Sequence, residues 1–427
     1  MNQIKPMLLT TLKSYDRSQF VKDVTAGIIV AIIALPLSIA LALASGVGPQ
    51  AGIFTAIVAG FVISAFGGSS VQIAGPTAAF ATIVAGIVAK DGLDGLVIST
   101  ILAGIFLILM GLCHFGSLIK FIPYTITTGF TSGIAVTIVI GQLKDFFGVT
   151  YPNGLKPIET MEKLKAFALG FSSFHVDALI VGGVSLAILI ISPYIFKRIP
   201  GSLIAVIIGI LMVKFLPLHV STIGNLYTIT NDLPSFHIPT VKFSIVKSAI
   251  PNAFTIAVLA AIESLLSCVV ADGMINGKHR SDTELVAQGL GNIASALFGG
   301  IPATGAIART AANIKNGGRT PVAGMVHSIT LVIVLVVLMP FAGMIPMPTI
   351  AAILFIVAYN MCQWRTFVHM LKTAPKSDII VLIVTFILTV VFDLVVAIEI
   401  GMVIACLLFI KRMSEETHVD SWIYVDD

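Results

Sequence analysis

Apolar segments long enough to cross a bilayer follow one another along almost the whole chain. An α-helix needs about 17–25 predominantly apolar residues to span the hydrocarbon core. Stretches such as 24–45, 96–112, 202–218 and 322–339 meet that requirement. Only 11% of the 427 residues are charged, against about 25% in an ordinary soluble domain. The pattern therefore predicts an all-α polytopic membrane protein.

Hydropathy divides this membrane domain, 23–412, into fourteen segments, preceded by a polar stretch over 1–22 and followed by a tail over 413–427. The predicted segments are 23–45, 50–66, 76–89, 93–114, 119–141, 175–195, 200–217, 250–274, 284–298, 307–315, 321–339, 347–363, 377–391 and 393–412. Two of these segments, 76–89 and 307–315, are too short to span a bilayer.

Each short segment follows a matching glycine-rich turn. Ala65-Phe66-Gly67-Gly68 leads to the first, and Leu297-Phe298-Gly299-Gly300 leads to the second. The third and tenth segments thus occupy corresponding places in two halves. Seven spans in the first half make the second half begin on the opposite side, which predicts an inverted repeat. Paired short segments of this kind point to the binding site of a transporter.

A half-helix that begins inside the membrane directs its unpaired N–H groups at protein or at a water-filled cavity. Those groups and the helix dipole favour an anion. Two such N-termini facing each other therefore predict a central anion site. The alternative is a pair of re-entrant loops with a structural role only.

Glu263 is the strongest candidate among the ionisable residues within the spans, because charge at this depth is costly. A low-dielectric site disfavours the charged carboxylate, so Glu263 could take up a proton during transport. Ser267 lies four residues later on the same helix face. These two residues are the predicted proton-coupling pair. The alternative is that Glu263 stays protonated and forms a structural hydrogen bond to another helix.

Arg309 lies near the predicted start of the second half-helix, where its charge would add to the dipole and attract an anion. The alternative is a salt bridge, for instance to Glu263, that fixes the half-helix. Pro76 and Thr77 resemble the start of the first half-helix, with proline in the first turn. Thr77 offers a hydroxyl to the substrate. Apolar residues complete the predicted lining of the site: Ala40, Ala306, Ile307 and Ala308.

The distribution of basic residues predicts how the chain is oriented in the membrane. Basic residues recur in alternate gaps between segments, which predicts cytoplasmic termini in an inner membrane. These residues are Lys13, Arg17, Lys22, Lys120, Lys197, Arg198, Lys278, Arg280, Lys315, Arg319, Arg365, Lys372, Lys376, Lys411 and Arg412.

A net charge of +4 gives no indication of a nucleic-acid partner. The four cysteines show no metal or disulfide spacing. No phosphate-binding loop or hydrolase motif is present, so the sequence predicts neither an enzyme nor a cofactor.

Several motifs together resemble the SulP family, the sulfate permease family of anion transporters. The resemblance runs from about Phe20 to Met413. Its motifs are Asp23-Val24-Thr25-Ala26-Gly27 with Ala34-Leu35-Pro36, Gly48-Pro49-Gln50-Ala51-Gly52-Ile53-Phe54, Gly75-Pro76-Thr77-Ala78-Ala79, Ile262-Glu263-Ser264-Leu265-Leu266, Gly291-Asn292 and Gly299-Gly300-Ile301-Pro302-Ala303-Thr304-Gly305 through Arg309-Thr310.

The resemblance implies two inverted repeats of seven segments, divided into a core domain (about 23–117 and 250–345) and a gate domain (about 118–249 and 346–412). It places the substrate between the third and tenth half-helices. It also implies a homodimer and an elevator-like movement of core against gate. Most relatives continue into a cytoplasmic STAS domain, and this sequence ends at Asp427, where that domain would begin.

Three departures from the family pattern bear on coupling. Leu37 stands where many of the exchangers have glutamine, so a polar substrate contact is missing. Glu263 replaces the aspartate of the sodium-coupled bicarbonate carriers, and Ile307 replaces their threonine. The sequence therefore favours proton-coupled symport of a small anion such as bicarbonate, a dicarboxylate or sulfate. The alternatives are a nucleobase permease of the same fold and a passive anion channel.

Overall fold

The structure is a computed structural model that describes residues 4–117, 124–152, 155, 157–196, 200–230, 232–239 and 243–391, with four positions between 400 and 407. The predicted segment 393–412 lies outside the described residues apart from those four positions. The tail over 413–427 lies outside them entirely, as do Lys120, Lys197, Arg198, Lys411 and Arg412.

The described chain is almost entirely helical, with one very short sheet. The elements in chain order are α1 (Leu8–Thr11), α2 (Arg17–Ala44), α3 (Pro49–Phe66), β1 (Ala74–Gly75), α4 (Ala78–Leu112), α5 (Tyr124–Phe147), α6 (Thr160–Gly170), α7 (Val176–Ile195), α8 (Gly201–Phe215), α9 (Ile223–Leu226), α10 (Phe243–Ile275), α11 (Ser281–Leu297), β2 (Thr304–Gly305), α12 (Ile307–Lys315), α13 (Val322–Ala342), α14 (Met347–Cys362), α15 (Trp364–Thr373) and α16 (Lys376–Val391). Short 3-10 turns lie at Leu12–Ser14 and Phe171–Ser173.

The predicted spans agree with these helices to within a few residues at most boundaries. In the part of the chain that the structure describes, eight helices are long and apolar enough to cross a membrane. The predicted segments 76–89 and 93–114 form one continuous element, α4, broken at Gly92, whose φ of 71° is not helical. Glycine tolerates that backbone conformation because it has no Cβ. The connecting helices α6 and α15 were not predicted.

Helices of the first half pack against helices of the second half in two groups. In one group, α2 packs on α13, α3 on α11 and α13, and α4 on α10 and α11. In the other, α5 packs on α14 and α16, and α7 packs on α14 and also on α8 of its own half. This exchange of partners is the arrangement that an inverted repeat predicts.

One face of the molecule, here called the N-terminal face, gathers the N-terminal stretch with the start of α11 and the end of α12. The Gln19 amide donates to Gly317 O at 3.0 Å. The Arg280 guanidinium donates to Lys5 O at 2.8 Å. The Arg319 N–H donates to Asp23 Oδ1 at 2.9 Å. Arg280 and Arg319 therefore lie on the side where the N-terminus lies, as the alternation of basic gaps predicts.

Candidate transport site

Two helices begin inside the molecule and run in opposite directions from one small sheet. β1 and β2 pair antiparallel, with Ala74 opposite Gly305 and Gly75 opposite Thr304. The first half-helix, residues 78–91 of α4, follows β1, and the second, α12, follows β2. Because both strands are buried and antiparallel, the helices that leave them start at the same depth and diverge.

Neither half-helix is capped by a side chain. Thr77 is the N-cap residue of α4 and Ala306 that of α12, and neither makes a side-chain capping bond. The N–H groups of a first helical turn have no acceptor within the helix. Two sets of such donors, each at the positive end of a helix dipole, are therefore available near the centre of the molecule.

Glu263 and Thr77 connect α10 to the start of the first half-helix. The Thr77 hydroxyl donates to Glu263 Oε2 across 3.0 Å, so it serves this contact and not the cap. Glu263 is partly buried, and no described Lys, Arg or His side chain forms an ion pair with it. The carboxylate thus lies beside the predicted anion site without a compensating cation at contact distance.

Ser267 contacts the second half-helix and not Glu263. Its hydroxyl donates to Thr310 Oγ1 at 3.4 Å, and Thr310 Oγ1 also accepts from the Ile73 N–H at 3.0 Å. The shared helix face of Glu263 and Ser267 therefore presents one residue to each half-helix. α10 joins the two halves of the site through these two contacts.

Arg309 is the largest fully buried side chain among the described residues and is 2% exposed. Its Nη2 donates to Pro76 O, at the start of the other half-helix. Nε and Nη1 have no partner among the described residues. Arg309 forms no ion pair with Glu263, so the salt bridge weighed as an alternative from the sequence is not formed.

Gly75 leaves room for this guanidinium. A Cβ atom at Gly75 would overlap Arg309 Nη1, and its φ of +157° is a conformation that favours glycine. The glycine of β1 thus allows the cation of one half-helix to reach the backbone that starts the other.

The residues of the predicted apolar lining differ in their exposure in the structure. Ile307 is 41% exposed, Ala308 is exposed and Ala306 is intermediate. Ala40 is 0% exposed and belongs to the main hydrophobic cluster. The start of α12 therefore presents accessible apolar surface beside its free N–H groups, whereas Ala40 presents none.

A polar stripe on α11 holds both turns that lead to the half-helices, and its role was missed from the sequence. Its residues Glu284, Gln288, Asn292 and Ser295 are each 0% exposed. A position near the end of a predicted segment favours a solvated or capping role for Glu284, and its full burial contradicts that expectation. The regular spacing of these four polar residues on one helix face was the signal that could have found them.

Three members of the stripe bind a turn, among them Ser295, which donates to Ile301 O at 2.8 Å, while Gln288 donates to Glu284 Oε1 at 2.9 Å. Glu284 accepts from the Gly68 N–H at 2.8 Å and from the Ser69 N–H at 3.2 Å. Asn292 accepts from the Ala303 N–H at 2.9 Å and donates to its carbonyl at 2.8 Å. Backbone polar groups in a buried non-helical turn require such partners. α11 thus fixes where both half-helices begin.

Comparison with known proteins identifies the family. The sequence profile of the sulfate permease family matches residues 20–385. YvdB of Bacillus subtilis (strain 168), provisionally named a sulfate transporter, is 42% identical over 95% of this chain and 77% of its own length. The bicarbonate transporter BicA of Picosynechococcus sp. is 34% identical over 92% of this chain and 70% of its own length.

Solved structures agree on the fold. The transmembrane domain of a cyanobacterial BicA matches 90% of this chain and 98% of its own, with a TM-score of 0.80 and 30% identity. SLC26A9 matches with a TM-score of 0.86 over 96% of this chain and 68% of its own, at 19% identity, which supports the fold alone. The predicted all-α fold with inverted repeats is confirmed, and the family is one of transporters and not of enzymes. The chain is a multi-pass membrane protein and belongs to the sulfate permease family.

Proposed function

We propose that this protein is a secondary active transporter of a small anion, bound between the two half-helix N-termini. The observation that carries the proposal is the pair of opposed, uncapped helix starts joined by β1 and β2. Arg309 adds to the same region a buried cation, two of whose nitrogens have no partner among the described residues. The relatives with named substrates transport sulfate or bicarbonate, which favours an anion over a nucleobase.

Proton coupling follows from the charge next to this site. An ionised Glu263 repels an anion bound at the helix start next to Thr77. The repulsion is strong where water is excluded. Protonation of Glu263 removes that repulsion, so proton and anion favour each other's binding. The Thr77 hydroxyl can donate to either the carboxylate or the carbonyl oxygen of the neutral acid. The proton in this proposal travels with the anion.

The movement in this proposal is elevator-like, with core regions 23–117 and 250–345 sliding against gate regions 118–249 and 346–412. The two packing groups support the division, because the α2–α13, α3–α11 and α4–α10 contacts lie within the core and the α5–α14, α5–α16 and α7–α14 contacts lie within the gate. Both half-helices then move as one unit with α10. The proposal includes a homodimer in an inner membrane, with both termini cytoplasmic.

The test is uptake into proteoliposomes that contain the purified protein. Bicarbonate, sulfate, fumarate, chloride and nitrate are offered singly, with and without an inwardly directed proton gradient. We expect one of these anions to accumulate above its equilibrium level only when the gradient is present. Uptake that is the same with and without the gradient would contradict proton coupling. Competition by uracil, or single-channel currents, would instead favour the nucleobase permease or the channel.

A further inference from the structure

A polar cavity lies on the face opposite the N-terminal face. Two adjoining cavities of about 410 Å³ and 260 Å³ share Thr82, Thr137, Ile158 and Lys163 in their walls. We call the larger one, with these four residues, the distal vestibule. α2 runs from the N-terminal face to Ala44, which lines the smaller cavity. The vestibule therefore opens on the other side of the membrane domain.

Lys163 brings an uncompensated positive charge into this cavity. It lies on α6, which packs against α5 and α16 between two spans, and it is half-buried. Its ammonium group forms no ion pair with any residue that the structure describes. Burial lowers the pKa of the Lys163 amine, and no neighbouring carboxylate offsets that effect. A bound anion would supply the missing counter-charge.

The carboxylates that line the vestibule are used elsewhere. Glu159 and Glu162 form a capping box at the start of α6, in which each side chain binds a backbone N–H of the other residue. Glu162 also accepts from the Ile158 N–H at 3.2 Å. Asp145 lines the smaller cavity but not the larger one. Lys90 lines the larger cavity as well, so two lysines face it beside two carboxylates that bind backbone N–H groups, whereas the smaller cavity has one lysine and Asp145. The larger cavity is therefore the better suited of the two to an anion.

Thr82 supplies a hydroxyl that lacks a partner. Its Oγ1 is buried and has no hydrogen bond among the described residues, whereas the Thr137 hydroxyl is satisfied by Ile134 O at 2.8 Å. Buried polar atoms without a partner are rare in native proteins and call for a ligand or water. Thr82 lies on the first half-helix, five residues beyond Thr77, which is about 7.5 Å along the axis. The vestibule thus adjoins the path to the candidate transport site.

We propose that the distal vestibule is a capture site for the transported anion, with Lys163 as its cation and Thr82 as its hydroxyl donor. This inference rests on the proposed function. Its ligand is a small oxyanion of the sulfate or bicarbonate type. A cation in a recessed cavity raises the local concentration of anions and their rate of entry. Capture acts on one face only, before the anion reaches the half-helices.

The test compares the two faces of the membrane. Vesicles of both orientations are prepared from cells that express the full chain, and protease access to an N-terminal tag identifies the exposed face. Initial uptake of the transported anion is measured for wild type and Lys163→Gln at each face. We expect KM to rise about five- to tenfold when the anion is offered at the vestibule face, and Vmax to stay unchanged.

Matched controls separate capture from folding. Lys165→Gln removes an exposed charge from the same helix and should leave KM unchanged. Lys163→Arg keeps the charge and should retain most of the affinity. The difference between wild type and Lys163→Gln should shrink as salt rises from about 0.01 M to 1 M, because the screening length falls from about 30 Å to 3 Å.

The outcomes distinguish the two proposals. An unchanged KM in Lys163→Gln, or an equal rise at both faces, overturns the capture site while leaving transport intact. If wild type moves no anion from either face, the proposed function fails and the capture site fails with it. A rise confined to the vestibule face, absent in Lys165→Gln and weakened by salt, supports capture.

Discussion

The Thr77 hydroxyl and the Glu263 carboxylate meet across 3.0 Å, although 186 positions separate them in the chain. This hydrogen bond connects the uncapped start of one half-helix to the acid on α10. An anion at that helix start and a proton on that acid would therefore be bound within one small region. The contact gives the proposed coupling a specific pair of atoms to test.

Glu263→Gln should abolish proton-driven accumulation while permitting downhill movement of the anion. Glutamine keeps a carbonyl oxygen for the Thr77 hydroxyl but cannot be protonated near neutral pH. We expect accumulation to fall at least about tenfold, which corresponds to about 1.4 kcal/mol of lost driving force. The measurement is the steady-state ratio of internal to external anion under an inward proton gradient. Wild-type accumulation in this variant would exclude Glu263 as the proton carrier.

Thr77→Val should strengthen anion binding at a pH where Glu263 is ionised, because it removes the hydroxyl that stabilises the repelling carboxylate, at nearly constant side-chain volume. A buried hydrogen bond to a charged group contributes about 1.5–3 kcal/mol, so the neutral form of Glu263 is favoured and KM should fall about tenfold. Thr77→Ser retains the hydroxyl and is the matched control. Both variants are assayed for initial uptake rate against anion concentration. Equal KM values for the two variants would show that the hydroxyl makes no contribution.

Arg309→Met should lower transport without lowering thermal stability. The guanidinium is 2% exposed and two of its nitrogens are unpartnered, so its removal also relieves a desolvation cost. Loss of a unit charge near the anion should still raise KM about tenfold or more. Uptake kinetics and a thermal unfolding scan of the detergent-solubilised protein are measured together. A large fall in melting temperature with unchanged KM would indicate a structural role only.

Gly75→Ala should impair both folding and uptake, since its Cβ atom would overlap the Arg309 guanidinium. Overpacking of this kind costs about 1–3 kcal/mol. Gly183→Ala on α7 is the control, because no atom lies within 4 Å of its added Cβ. Folded yield by size-exclusion chromatography and uptake per folded protein are compared. Equal behaviour of the two variants would contradict the close approach at Gly75.

Glu284→Ala should destabilise the protein by about 2–5 kcal/mol, because it leaves the Gly68 and Ser69 N–H groups buried without an acceptor. The misplaced turn should also reduce uptake. Lys165→Gln, which removes an exposed charge on α6, is the control and should change the unfolding temperature little. Thermal unfolding in detergent measures the difference. An unchanged unfolding temperature in Glu284→Ala would mean that water replaces the carboxylate.

The sequence by itself determined the helical membrane fold, the two half-helices and two of the candidate site residues. Spanning length and apolar composition are local properties, so the segments could be read directly from the chain. The matched glycine-rich turns located the interruptions. Glu263 and Arg309 stood out because charge inside a bilayer is costly and therefore rare.

Only the tertiary structure decided which of these residues meet. Periodicity assigns a residue to a helix face but does not name the partner that packs there. Ser267 shares a face with Glu263, yet it contacts Thr310 while Glu263 contacts Thr77. Arg309 reaches Pro76 and not Glu263.

The same limit explains why the sequence did not predict the burial of Glu284 and Ala40. Glu284 lies near a helix end in the sequence, and its burial depends on the turn at Gly68 that folds over it from the other half. Ala40 lies on a predicted site helix, and its neighbours in the core cover it completely. Local sequence fixes which segments are helices in a bilayer, because each helix satisfies its own backbone hydrogen bonds. Contacts between distant segments fix the site, because they depend on how the two halves pack together.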